Sequence, residues 1–471
     1  MLVYLSAITV LPLAISLYTR DGAQFALLMS ATAMLLIGLL FRNILGHNAQ
    51  YDILSDESYW ITATTWIAIP LCGTLPYLFT GGISSFTDAV FESFSGFTTT
   101  GSSVISFPEE LPQSLLVYRS LTQWIGGLGM MLMFIALFRR LGISGGHLYE
   151  AEFSGTQDRK LHPRLSQSVM RLWLVYIIMT LAMGGLLLVQ GNTIADSVCL
   201  ALSTVSTGGF VTNSQGLTLL NSGSLVVITI FMILSGINVA MLFNILTFKW
   251  KGIRKNEELG MYLTILVVAS IVCALAFYFA GNDFLTSLEY SVFHLASTSS
   301  TCGYYITPPA RWSFLVSVIT FLLIIMGASS GSTGGGIKIR RVIILLKYIG
   351  IYFTHMIHPN AVALVKVNGK AVDDEYTNKI FGYVSLYIAF IVGGAFLLTL
   401  CGCDIPNAIC MAATNISNLG PSPLINSLGS SFDYAQLPDL AKWTLTVLML
   451  AGRLELFALI AIFSPAYWRR K

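Results

Sequence analysis

Charge is what this 471-residue chain has least of: Asp, Glu, Lys and Arg make up 10% of it, against 55% hydrophobic residues. A water-soluble surface draws on about a quarter charged residues. The chain therefore lacks the means to coat itself for water, and lipid is the solvent expected around much of it. Metal-ligand spacing is lacking too. The seven cysteines (Cys72, Cys199, Cys273, Cys302, Cys401, Cys403 and Cys410) are odd in number and mostly lie in apolar runs. That excludes a zinc framework and leaves packing as their expected role; Cys401 and Cys403 alone sit near an outer face where a disulfide stays open. Of six histidines, His47, His147, His162, His355 and His358 fall in polar segments and only His294 elsewhere. No triad or metal set emerges, which argues against an enzyme.

What is present in excess is apolar sequence. Spans need about 20 apolar residues each, and candidates run at 1–18, 24–41, 59–80, 115–138, 171–190, 225–248, 260–280, 313–327, 381–401 and 441–465. All are expected to be helices, because an open sheet edge is not tolerated in lipid. The first run is expected to stay on the chain. No basic residue precedes it, and Tyr18-Thr19-Arg20 is not a small-residue cleavage site. With the N-terminus inside, one face collects Arg42, Arg139, Arg140, Arg159, Lys160, Arg164, Lys249, Lys251, Arg254, Lys255, Arg340, Arg341, Lys347, Lys366, Lys370, Lys379 and the C-terminal Arg469, Arg470 and Lys471. The other keeps mainly Arg20, Arg119, Arg311 and Lys442. The positive-inside rule then puts both termini in the cytoplasm, and the basic residues need no nucleic acid to account for them.

Four short segments repeat within this pattern: Thr98-Thr99-Thr100-Gly101, Ser206-Thr207-Gly208-Gly209, Ser300-Thr301-Cys302-Gly303 and Ser417-Asn418-Leu419-Gly420. Thirteen residues before each final glycine stand Asp88, Asp196, Tyr290 and Asn407, near the start of short apolar stretches at 86–96, 194–204, 286–296 and 404–414. These stretches are too short to span and read as re-entrant half-helices. The expected architecture is all-α and integral to the membrane. Four tandem helix–pore loop–helix repeats surround a central pore, with two further N-terminal transmembrane helices. The boundaries are an N-terminal pair at 1–42, repeats at 58–148, 149–255, 256–348 and 378–471, and a cytoplasmic linker at 349–377.

Non-helical backbone at membrane depth is tolerated only where protein or water satisfies it, so the four segments are expected to face one wet axis. Glycine permits dihedrals that turn successive carbonyls inward, and a carbonyl ring can replace a cation's hydration shell, as in the Thr-Val-Gly-Tyr-Gly loop of potassium channels. Each half-helix would aim its partially negative C-terminus at the ion. Asp88 and Asp196 are expected to cap those helices. Glu92, Glu289 and His294 are expected to brace the segments. Close helix packing is the alternative use of a membrane glycine, and four aligned copies weigh against it.

The third repeat carries Gly327-Ala328-Ser329-Ser330-Gly331-Ser332-Thr333-Gly334-Gly335-Gly336 in the middle of its last helix. Each glycine there costs roughly 1 kcal/mol of helix propensity relative to alanine. The stretch is expected to unwind beneath the ring and act as a movable gate. A phosphate-binding loop is excluded, since no Gly-Lys-Ser/Thr follows; the Gly327/Gly331 pair leaves helix packing as the alternative. Arg453 is expected near the middle of the last helix. Buried in lipid it costs at least ~2.5–3.5 kcal/mol, so it should approach the pore, holding the gate or repelling cations at rest, with Lys338 in a related part.

At these residues the chain resembles the Trk/Ktr/HKT superfamily of cation transporters, and more narrowly its Trk-type membrane subunit. The resemblance runs over nearly the whole chain. It rests on Thr-Thr-Thr-Gly at 98–101, Gln-Trp-Ile-Gly-Gly-Leu-Gly at 123–129, Ser-Thr-Val-Ser-Thr-Gly-Gly-Phe at 203–210, Gly-Gly-Gly-Ile-Lys at 334–338, Asn-Leu-Gly-Pro at 418–421 and Gly-Arg-Leu-Glu at 452–455. It implies uptake of potassium ions across the bacterial inner membrane, with glycine in all four repeats favouring potassium over sodium. It also implies a homodimer with one pore per subunit and a cytoplasmic Rossmann-type nucleotide-binding regulatory subunit docked on the basic loops. No organic cofactor is implied for this chain. Cys302 departs from the small residue or threonine usual before that glycine. Sodium- or proton-coupled symport through broken helices remains the open alternative.

Overall fold

The computed structural model describes residues 2–45, 55–129, 165–248, 256–306, 313–358, 360, 364–421 and 433–456. The expected continuation of the fourth span to 138, the basic segments at 139–164 and 249–255, and the last helix and C-terminus beyond 456 lie outside the described residues.

The first expected span is two helices, α1 (Leu2–Ile8) and α2 (Val10–Thr19). Pro12 is the reason: it has no N–H for the carbonyl of Ile8, and its ring crowds that carbonyl. Arg20, in left-handed conformation, closes α2, and α3 (Gln24–Leu45) returns.

The four repeats then follow in order. The first comprises α4 (Ser55–Cys72), a short α5 (Leu75–Thr80), the half-helix α6 (Phe86–Phe97) and α7 (Gln113–Trp124), which runs into a π-helical turn at Ile125–Gly129. The second comprises α8 (Leu165–Val189), the half-helix α9 (Ile194–Val205), α10 (Ser222–Ser235) and α11 (Val239–Leu246). The sequence reads 225–248 as one span, yet α10 and α11 meet at 113°.

In the third repeat α12 (Glu257–Phe279) precedes a longer half-helix, α13 (Phe284–Ser300), and then α14 (Phe314–Met326) and α15 (Ile339–Ile357), separated by the unwound glycine run. Helix α15 continues past 349, where the linker was expected to begin. The linker itself contains a two-stranded ribbon, β1 (Lys366–Val367) against β2 (Lys370–Ala371), with Lys366 opposite Ala371. Its turn is Asn368-Gly369, both at positive φ (52° and 77°), the pair that a two-residue hairpin selects. The fourth repeat is α16 (Asp374–Leu400), the half-helix α17 (Ile405–Ile416) and α18 (Asp439–Arg453).

Polarity is distributed inversely to that of a soluble protein. On α16, Ile388, Val392, Phe396 and Leu400 recur every fourth residue and are exposed, while Tyr387, Ile391 and Leu398 on the other faces are buried. An apolar stripe of that kind suits lipid contact. The deepest positions are polar: Ser93, Ser95, Ser203, Thr204, Thr298 and Asn415 on the half-helices are all buried.

The half-helices are capped one turn earlier than expected. Ser85 and Thr193 are the caps, accepting from the backbone N–H of Asp88 and Asp196. Asp88 and Asp196 occupy the third helical position, where an acid favours the helix dipole. Their carboxylates turn elsewhere: Asp88 to Lys442 of α18 at 2.5 Å, Asp196 to the hydroxyls of Thr193 and Thr212, both at 2.6 Å.

Candidate functional site

All four half-helices end in one backbone device. The N–H groups of Thr99, Thr207, Thr301 and Asn418 donate to the carbonyl three residues back, at 3.0–3.1 Å. Those of Thr100, Gly208, Cys302 and Leu419 donate five residues back, at 2.7–3.0 Å. This is the Schellman motif, which needs its left-handed residue where the aligned hydroxyl or amide stands: φ is 56° at Thr99, 57° at Thr207, 63° at Thr301 and 51° at Asn418. For β-branched threonine that conformation costs on the order of 1–3 kcal/mol, so three such positions mark a place where the surroundings dictate the backbone. Two residues on, Gly101, Gly209, Gly303 and Gly420 repeat the positive φ at 78–84°.

These glycines close a ring. A Cβ on Gly101 would overlap the carbonyl oxygen of Gly208, one on Gly209 that of Cys302, one on Gly303 that of Leu419, and one on Gly420 that of Thr100. Each repeat touches the next and the fourth returns to the first, so backbone oxygens from four distant stretches meet around one axis. Because any side chain at these glycines would displace a neighbouring carbonyl, no other residue fits. On the glycine side, Gly101, Gly209, Gly303 and Pro421 line a vestibule of about 170 Å3 with Tyr304, Tyr305 and Asp433.

The braces differ from repeat to repeat. Glu92 is fully buried and paired with Arg119 at 2.8 Å; it also accepts from Val104 N–H and the Ser103 hydroxyl, each at 3.0 Å. Arg119 reaches on to the Val211 carbonyl at 3.3 Å and lies over the Phe210 ring. Gln123 grips the second repeat from both sides, donating to Gly208 O at 2.8 Å and accepting from Phe210 N–H at 3.2 Å. Tyr387 bonds the Ser417 hydroxyl at 2.6 Å, and Asn418 donates to Thr100 Oγ1 at 3.0 Å, tying the fourth repeat to the first. The Cys302 thiol is buried against the Thr204 carbonyl at 3.7 Å, leaving its own carbonyl in the ring. Glu289 is exposed on α13 and has no place in this shell, whereas His294 is buried on the same helix.

On the side away from the vestibule the glycine run of the third repeat crosses under the ring. Gly335 N–H donates to Thr301 Oγ1 at 2.9 Å, and Thr333 Oγ1 reaches the Val205 carbonyl at 3.4 Å. A Cβ on Gly335 would overlap the Ser417 carbonyl oxygen. The loop thus abuts the half-helix ends of the second, third and fourth repeats. Gly327, Gly331, Gly336 and Lys338 hold positive φ within it, Ser332 closes a turn onto Ser329 at 2.6 Å, and the Lys338 ammonium folds back onto the Gly334 carbonyl. Arg453 is the last residue of α18 rather than a mid-helix residue, because the chain turns left-handed at Glu455 and Leu456. Its guanidinium donates to Thr333 O at 3.1 Å and to the carbonyls of Gly126 and Gly127, the latter at 2.8 Å. It therefore joins the loop to the π-helical turn of the first repeat. Glu455 pairs instead with Arg341 of α15.

The family profile described as TrkH, cation transport protein, matches residues 28–470. The chain belongs to the TrkH family. Relatives over its whole length include the Trk system potassium uptake protein TrkH of Salmonella typhimurium, 31% identical over 100% of this chain and 97% of its own, and that of Halomonas elongata, 31% identical over 100% and 98%. The crystal structure of the potassium transporter TrkH from Vibrio parahaemolyticus superposes with a TM-score of 0.86 at 29% identity, covering 99% of this chain and 97% of that one. This TrkH-family chain is a multi-pass membrane protein built from four pore repeats.

Several residues of the site escape sequence reasoning. Arg119 and Gln123 sit on α7, inside what reads as an ordinary span; apart from Gln123 opening the 123–129 motif, their signal is being strongly polar at membrane depth, the criterion that picked out Arg453. Asn238 carries the same signal, a polar residue inside the run 225–248, whereas Glu258, just outside the run 260–280, carries none.

Proposed function

We propose that this chain takes up potassium ions across the bacterial inner membrane, with both termini cytoplasmic. Carbonyl oxygens of 98–101, 206–209, 300–303 and 417–420 serve as the selectivity filter. The reading is carried by the closed cycle of glycine-to-carbonyl contacts: a ring of four uncharged oxygens, one from each repeat, at the ends of four half-helices suits a monovalent cation, whose hydration shell it replaces, and the helix ends supply partial negative charge without a carboxylate to trap it. The relatives' names as potassium uptake proteins support potassium as the substrate. The loop 327–336 is the gate, held shut by Arg453. A homodimer regulated by a cytoplasmic nucleotide-binding subunit on the basic loops completes the system.

The test is potassium uptake by transport-deficient cells expressing the chain. Wild type should restore uptake and discriminate against sodium. Gly209→Ser should remove that discrimination, since its Cβ meets the Cys302 carbonyl; selectivity unchanged in folded Gly209→Ser would sink the assignment.

A further inference from the structure

The 113° bend between α10 and α11 frees backbone groups that a straight helix would satisfy, and the gating loop takes them up. Gly236 O accepts from Ser329 N–H at 3.1 Å, and Val239 N–H donates to Gly331 O at 3.1 Å. Between these two bonds the Asn238 side chain does two separate jobs. Its Oδ1 caps α11 by accepting from Ala240 N–H at 2.9 Å, while its Nδ2 donates to Ser330 O at 2.5 Å. The preceding peptide group of the same residue is also held: Ser330 N–H donates to Glu258 Oε1 at 2.5 Å, from the first turn of α12, with Glu258 itself buried. One peptide segment, 329–331, is thus gripped by two different elements that flank the basic segment 249–255 in the chain.

We propose that Asn238 and Glu258 form a latch that positions the loop under the ring, so that the second repeat, as well as Arg453, keeps the gate shut. This rests on the gate reading above. The latch grips the loop at 329–331 and Arg453 grips it at Thr333, so two successive restraints act on the loop just before the Gly334–Gly336 crossing.

Asn238→Asp separates the two jobs of Asn238, because a carboxylate still caps α11 but presents no donor to Ser330 O. Rubidium flux into vesicles containing the full-length chain alone is the readout, beside a deletion of 331–335. The deletion should raise basal flux; if it does not, the gate reading itself fails. With the deletion raising flux, Asn238→Asp should raise it roughly five- to tenfold, the factor associated with losing one neutral hydrogen bond, and should add nothing in the deletion background. Unchanged flux in folded Asn238→Asp, or an equal rise on top of the deletion, overturns the latch. Should Asp at 238 prevent folding, Glu258→Gln, which keeps the shape and weakens the grip on Ser330 N–H, should give a smaller rise of about two- to threefold; no rise there overturns it equally.

Discussion

The ring and the helix breaks beneath it follow opposite rules. In the ring, four stretches of different sequence share one backbone, down to φ values within 12° at the left-handed residue and 6° at the glycine. Beneath it, the second long helix breaks differently in each repeat: a π turn at Ile125–Gly129, a 113° bend after Ser235, an unwound run after Met326, and a left-handed pair at Glu455 and Leu456. Closing one ring requires equal geometry from all four stretches, whereas the gate proposed above would require one repeat to differ and the others to hold it.

That contrast breaks most easily at its braces. Glu92→Ala should cost about 3–5 kcal/mol, because it strands Arg119 as an uncompensated buried charge. Thermal unfolding in detergent is the measurement, with Glu375→Ala, from the exposed Lys379–Glu375 pair, as the near-neutral comparison. Equal effects from the two would mean that the ring does not depend on its buried brace. A step smaller, Arg453→Gln should leave ion selectivity intact and raise basal flux about tenfold, the worth of one charge-assisted hydrogen bond to the loop. Altered selectivity with unchanged basal flux would place Arg453 with the ring instead of the barrier.

The smallest effect lies outside the membrane. Hydrogen bonds from Ser214, first through its hydroxyl, hold the exposed Glu109 carboxyl below its ordinary range. With the folded-state value depressed, this tether is fully present above the unfolded carboxylate pKa and is lost as pH falls through the folded one. Amide protection at 213–216, taken relative to the intrinsic exchange rate at each pH, should therefore fall under acid conditions in wild type and stay constant with pH in Glu109→Gln, while uptake at neutral pH stays unchanged. A pH-dependent change that persists in the variant would assign it to another group.

Sequence reasoning found the repeat because the Schellman ending and the ring both act through local composition: a hydroxyl or amide at the left-handed residue, a glycine two places later, and a half-length apolar stretch before them. The unwound run was readable for a similar reason, since five glycines within ten residues outweigh any helix propensity. The bend after Ser235 was not. One glycine inside an apolar run is a weak breaker, and the partners that make the break tolerable, Ser329 to Ser330 and Gly331, lie more than ninety residues away. Arg453 shows both sides: its charge announced an inward-facing role, but its place at a helix end depends on Thr333, Gly126 and Gly127 being there to receive it.

By itself, then, the sequence determined the membrane as solvent, the four-fold plan and the positions of the four segments, because hydrophobicity, helix length and glycine placement are set within a few residues. Which carbonyl meets which glycine, which acid pairs with which base and where three of the four long helices break were decided only by the tertiary structure. Buried backbone groups must find partners, and in this fold those partners come from other repeats.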